Sequence, residues 1–233
     1  RPVRRVAAIH DFEVLCREIR NRSRLALDTE FIAEDSYQPN LCLIQVAFDD
    51  ELVVIDPFPL GSVRRFWEAI VEGNVETVVH AGRVDLQFCR DATGRCPSRI
   101  FDIQIAAGFT GQEYPAGLAN IVQRYLRVNV TKHETRTDWR RRPLSDRQVD
   151  YALNDVRYLL GVRDRLEGEL KALRRYEWFT EEVERQYTEC RNDETEQWRR
   201  LAGCAGFSRR ELVILRELWL WREGEAARRN IPP

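Results

Sequence analysis

Before residue 60 the apolar positions gather into three short, dense runs. Arg24 to Phe31 is apolar and then acidic, Leu41 to Phe48 is strongly apolar, and Leu52 to Asp56 is apolar and β-branched until Pro57 stops it. These runs predict three consecutive strands. Val63 to Val71 then shifts to helical spacing, Thr77 to His80 returns to a short strand, and Val84 to Cys89 opens a second helix after Gly82. The order β-β-β-α-β-α predicts an α/β fold: a mixed sheet with helices on its faces.

Beyond residue 100 the pattern is helical. It predicts helices over about Ile103 to Phe109 and Leu118 to Leu126, and one long helix from Asp146 through Leu173, with Pro143-Leu-Ser145 as its start signal. Glu181 to Gln197 is highly charged and poor in apolar residues. A boundary is expected there, separating a domain at 1–180 from a linker at 181–194 and a small helical unit at 195–233. Within that unit Ser208-x-x-Glu211 reads as a capping box opening an amphipathic helix whose apolar side is Leu212, Leu215, Leu218 and Trp219. A piece of fewer than about 40 residues is too small to stand alone.

Charge narrows the picture. With 37 basic and 38 acidic residues the formal net charge is −1, so a nucleic acid would have to be held by local arginines or by bound metal. No apolar run approaches the roughly 20 residues of a membrane helix, and no signal-peptide core follows Arg1, so a cytoplasmic chain is expected. The six cysteines contain no Cys-x-x-Cys pair and are expected to be reduced packing residues. There is no methionine at all, which leads us to expect further residues outside the sequence.

Candidate chemistry lies in three places. In Leu25-Ala-Leu-Asp28-Thr-Glu30-Phe31, strand alternation puts Asp28 and Glu30 on one face, roughly 7 Å apart, with Leu25, Leu27 and Phe31 on the other. Two carboxylates so placed can hold divalent ions, although an ordinary polar strand face fits them equally well. Asp85 follows a strand-to-helix turn at Gly82, at the mouth of the sheet where α/β proteins place their sites. The macrodipole alone would also favour an acid there. Tyr151 and Asp155 stand one helical turn apart, away from the apolar stripe Val149, Leu153, Val156 and Leu160.

Arg136, Arg140, Arg141 and Arg142 with Trp139 form the densest basic and aromatic cluster. Arginine can pair with phosphate bidentately and an indole can stack on a base, whereas the plainer reading is a solvated loop around a buried Trp. His80 has the plainer reading of a satisfied strand-end histidine.

Taken in order, Asp28-x-Glu30, Asp85 and Tyr151-x-x-x-Asp155 resemble the three motifs of the DEDD superfamily of 3′→5′ exonucleases, in its tyrosine-bearing branch. The flanking segments resemble the RNase D family: Leu41-Cys-Leu-Ile-Gln-Val46, Ile55-Asp-Pro57, His80-Ala-Gly82, Phe101-Asp-Ile-Gln-Ile-Ala106, Thr135-Arg-Thr-Asp-Trp139, Arg142-Pro-Leu-Ser145 and Tyr151 to Leu160. The segment after Gln197 resembles the first part of an HRDC domain.

That resemblance implies a ribonuclease-H-like fold in which Asp28, Glu30, Asp85 and Asp155 ligate two divalent cations, Mg²⁺ or Mn²⁺, with Tyr151 orienting the attacking water. It implies an RNA with a free 3′ end as partner, a tRNA precursor above all. Thr29, Phe31, His80, Arg136, Trp139 and Arg142 are the expected RNA contacts. The rival readings are a 3′→5′ DNA exonuclease and an inert RNA-binding relative.

Overall fold

The structure, a computed structural model, describes residues 1–130, 137–188, 198–199, 201 and 206–232. The chain enters through β1 (Val3–Val6) and α1 (Ile9–Arg20), whose Phe12, Leu15, Cys16 and Ile19 form a buried stripe at helical spacing. The three expected strands follow as β2 (Arg24–Ile32), β3 (Asn40–Ala47) and β4 (Leu52–Ile55), then α2 (Pro57–Leu60), α3 (Arg64–Glu72), β5 (Glu76–Val79) and α4 (Arg83–Thr93). Next come β6 (Ile100–Asp102), α5 (Ile103–Phe109), α6 (Leu118–Leu126), α7 (Asp146–Arg157), α8 (Leu159–Ala172), α9 (Tyr176–Thr188) and α10 (Arg209–Arg229).

The strands build one six-stranded sheet in the order β1-β4-β3-β2-β5-β6. Antiparallel pairing joins β2 to β3 and β3 to β4, while β1 on β4, β5 on β2 and β6 on β5 are parallel. This is the expected mixed sheet flanked by helices. α7 covers β2, β3 and β4, and α8 packs on β5 and β2. α4 meets β2 from the side where it also contacts α3, itself packed on α1. With both faces covered, every residue of β4 and β5 is buried, which explains the unbroken apolar run of β4 and the β-branched Thr77-Val-Val79 of β5. Each buried Leu, Ile or Phe of this core contributes about 1.5–3 kcal/mol.

Three readings need correction. The expected long helix is two helices, because the backbone leaves helical geometry at Tyr158 (φ −108°, ψ −10°). An apolar stripe that runs through Val156 to Leu159 and Leu160 does not register the bend. Second, α9 runs past the expected boundary at 180, and Val183 and Tyr187 are buried, so packing on the main body continues into the expected linker. Third, α10 has the expected capping box, with the Glu211 backbone N–H donating to Ser208 Oγ and the Ser208 N–H to Glu211 Oε2, yet Leu218 is exposed.

Cys16, Cys42, Cys89 and Cys96 are free thiols, and Cys190 and Cys204 lie outside the described residues. Among the described residues no helix is long and apolar enough to cross a membrane.

Candidate active site

β2 is the shared wall of the site, since its successive side chains serve opposite faces of the sheet. On the α7 side, Asp28 and Glu30 meet Asp155, and one ligand oxygen from each lies within 4.8 Å of the others. On the α4 side, Thr29 Oγ1 donates to Asp85 Oδ1, and Phe31 meets Phe88 edge to face at 5.8 Å between ring centroids. Asp85 is therefore tied to the strand through Thr29 and stands outside the tight trio, though near enough to repel Asp28 and Glu30.

The turn that delivers Asp85 requires glycine at position 82, where a Cβ would sit 2.6–2.9 Å from the Val79 side-chain carbons. Ala81 before it has φ +56°, and its N–H donates to Asp102 Oδ1 at 3.2 Å. The same buried carboxylate caps α5 through Gln104 N–H (2.8 Å) and accepts from the Tyr187 hydroxyl (2.6 Å). α9 thus reinforces the turn. The sequence signal for Asp102 is its place directly before an apolar helix, as an N-cap; nothing in the sequence marks Tyr187.

Burial is the first cause that raises these carboxyls above the ordinary range, and for Asp28 and Glu30 repulsion from neighbouring acids adds to it. Asp28 is raised well above an ordinary aspartate by desolvation and by Asp85, Asp155 and Glu30. Glu30 is pushed up to about 8 by desolvation and by Asp155 and Asp85. Asp85 is also raised, mainly by burial, against the opposing effect of the Thr29 hydrogen bond. Among the described residues these three acids, Asp28, Glu30 and Asp155, are the group placed to hold a metal ion. Hard carboxylate oxygens crowded at this separation suit a hard divalent cation, which would remove the repulsion.

Tyr151 stands beside the trio on α7 and stacks on Trp139, with ring centroids 6.2 Å apart and planes 27° apart. A cleft of about 950 Å³ opens here, lined by Glu30, Phe31, Trp139, Arg140 and Tyr151 among others. Of the expected RNA contacts, Phe31 and Trp139 line it.

Trp139 is only 5% exposed, and Tyr151 takes one of its faces. Thr29 is buried on Asp85. His80 is bonded through Nε2 to the Ala116 carbonyl at 2.9 Å, the plainer reading of that residue. Arg142 spends all five of its N–H donors on protein acceptors: both Asp56 oxygens and the carbonyls of Trp139, Arg141 and Cys42. That leaves it no donor for a phosphate, so its place among the RNA contacts is corrected to a structural one. Arg136 lies outside the described residues.

Fold and site together bring three acids, Asp28, Glu30 and Asp155, to a place where a divalent cation could be held. A family model described as a 3′-5′ exonuclease matches residues 3–171, and the chain belongs to that family.

Within it the chain is 38% identical over 223 residues to ribonuclease D of Sphingobium indicum, covering 93% of this chain and 57% of that protein. The crystal structure of Escherichia coli RNase D, described as an exoribonuclease involved in structured RNA processing, is 30% identical with a TM-score of 0.83, covering 100% of this chain and 62% of the other. Brucella melitensis NrnC with bound Mg²⁺ shares the fold at 22% identity and a TM-score of 0.66, covering 90% of this chain and 98% of NrnC. The chain spans about three-fifths of the length of these RNase D relatives.

Proposed function

We propose that this chain carries the catalytic part of a metal-dependent 3′→5′ exoribonuclease of the RNase D type. The observation that carries this reading is the approach of ligand oxygens of Asp28, Glu30 and Asp155 to within 4.8 Å of one another, with Glu30 on the wall of an open cleft. Asp28, Glu30, Asp85 and Asp155 would hold two divalent cations, Mg²⁺ or Mn²⁺. Bound there, the cations supply an activated water and charge stabilisation for a departing 3′ oxygen.

The protein's own groups do the rest. Tyr151 orients the attacking water by hydrogen bonding through its hydroxyl. Trp139 holds that ring in place. Phe31 and Arg140, on the cleft wall, meet the terminal nucleotides. The products are nucleoside monophosphates, and the substrates are tRNA precursors or other small structured RNAs in the cytoplasm. Support for RNA comes from the E. coli relative's described role in structured RNA processing. We read the segment from 195 as the opening of an HRDC-like unit that assists RNA binding.

The test is a time course on end-labelled RNAs with 3′ or 5′ extensions, with and without Mn²⁺, beside matched DNA oligonucleotides. The expected result is metal-dependent shortening of RNA from its 3′ end, lost in Asp28→Ala and Asp155→Ala. Preferential loss of DNA would assign the site to DNA instead. Shortening without metal, or full activity in either variant, would contradict the proposal.

A further inference from the structure

Gln45 on β3 is the one fully buried glutamine among the described residues, and both of its amide atoms, Oε1 and Nε2, lack a hydrogen-bond partner. Its place is specific. In the antiparallel register of β2 and β3, Gln45 stands directly opposite Asp28, and its other neighbour across the sheet is Val54 of β4. Directly paired residues project to the same face with Cβ atoms about 4.5–5.5 Å apart. Gln45 therefore lies on the Asp28 and Glu30 side of the sheet, under α7, at the floor of the acidic trio.

Packing does not account for a glutamine there. An amide carried to this depth with neither end bonded is costlier than a leucine or methionine of similar volume. The neighbours on that side, Leu43, Ala47 and Val54 from the sheet and Val149, Leu153 and Val156 from α7, would accept an apolar side chain. What the amide offers and methionine does not is an N–H₂ on the residue paired with Asp28 across the sheet, on the same face. A ligating carboxylate has one oxygen to give and a second to be steadied, and outer partners of this kind fix the orientation of metal ligands.

We propose that Gln45 is a positioning residue for the cation site: its Nε2 donates to the Asp28 oxygen turned away from the cations and holds the carboxylate in its ligating orientation. The inference rests on the reading of Asp28 as a cation ligand. It gives Gln45 opposite effects on stability and on binding, which a packing role would not. Without cations the amide is a burden; with them it is a ligand support.

The experiment compares the wild-type chain with Gln45→Met by calorimetric titration with MnCl₂ and by thermal melting in EDTA. We expect the variant to melt at or above the wild-type midpoint in EDTA, and to bind Mn²⁺ about tenfold more weakly, the lower end of the usual effect of losing an outer partner. Gln45→Leu should behave in the same way. Unchanged Mn²⁺ affinity in a wild-type-like fold would overturn the inference, and so would a variant that melts lower in EDTA, since that marks a packing role. Failure of the wild-type chain itself to bind Mn²⁺ would instead overturn the cation reading on which this one rests.

Discussion

Trp139 and Tyr151 lie nearly parallel, 6.2 Å between ring centroids, one in the 137–141 loop and the other on α7. The stack fixes the tyrosine's ring, while its hydroxyl is the part that the chemistry needs. Tyr151→Phe keeps the stack and removes the hydroxyl. We expect turnover to fall about 100-fold, the lower end for a lost proton-handling group, with Mn²⁺ affinity unchanged within about twofold. Trp139→Ala should lower turnover while leaving the hydroxyl present. Steady-state kinetics beside calorimetry separates these effects, and a large loss of Mn²⁺ affinity in Tyr151→Phe would refute the assignment.

The Arg142 guanidinium ties the same loop to the sheet, through Asp56 on one side and the carbonyls of Trp139 and Cys42 on the other. Lysine keeps the charge but not the five-donor fork. Arg142→Lys should cost about 3 kcal/mol, seen as a lower urea midpoint with little change in slope. An unaffected midpoint would mean that the arginine is free for substrate.

Stability without cations should depend on pH with a definite sign. Glu30, near 4.3 in an unfolded chain, is pushed up to about 8 in the fold by burial and by Asp155 and Asp85. Between those values the folded state binds more protons than the unfolded one, so stability falls as pH rises. In EDTA the melting midpoint should drop by roughly 5 °C between pH 5 and pH 8, and Mn²⁺ at pH 8 should restore it with release of protons. A midpoint that climbs over this interval in EDTA would show that the acids are not crowded.

Asp28→Asn removes one charge from that crowd. At pH 8 in EDTA the variant should gain about 1 kcal/mol, or roughly 2–4 °C, while losing activity and Mn²⁺ affinity. A loss of stability would point to a structural partner for the carboxylate.

Much of this site is legible in the chain because local periodicity places it. Strand alternation puts Asp28 and Glu30 on one side of β2, and helical spacing puts Tyr151 and Asp155 together off the core stripe, as observed. What periodicity does not carry is the partner across the fold. The same arginine-rich loop suits a phosphate or an internal ion pair until Asp56 is seen beside Arg142. Gln45 looks like one more strand residue until its register against Asp28 is known. Short edge elements escape for another reason: β1 is Val3-Arg-Arg-Val6 and β6 has three residues, too little for a pattern. The stripe of α1 did have helical spacing and was within reach.

The alternation along β2 has a consequence for how this protein can change over time. Cleft loops can lengthen or shorten and leave the acids where they are. A single-residue deletion between Leu25 and Glu30 would instead turn every later side chain of the strand over, pointing hydroxyl toward α7 and carboxylates toward α4. β2 is thus a frame-sensitive stretch, where substitutions can be survived one at a time and length cannot vary at all.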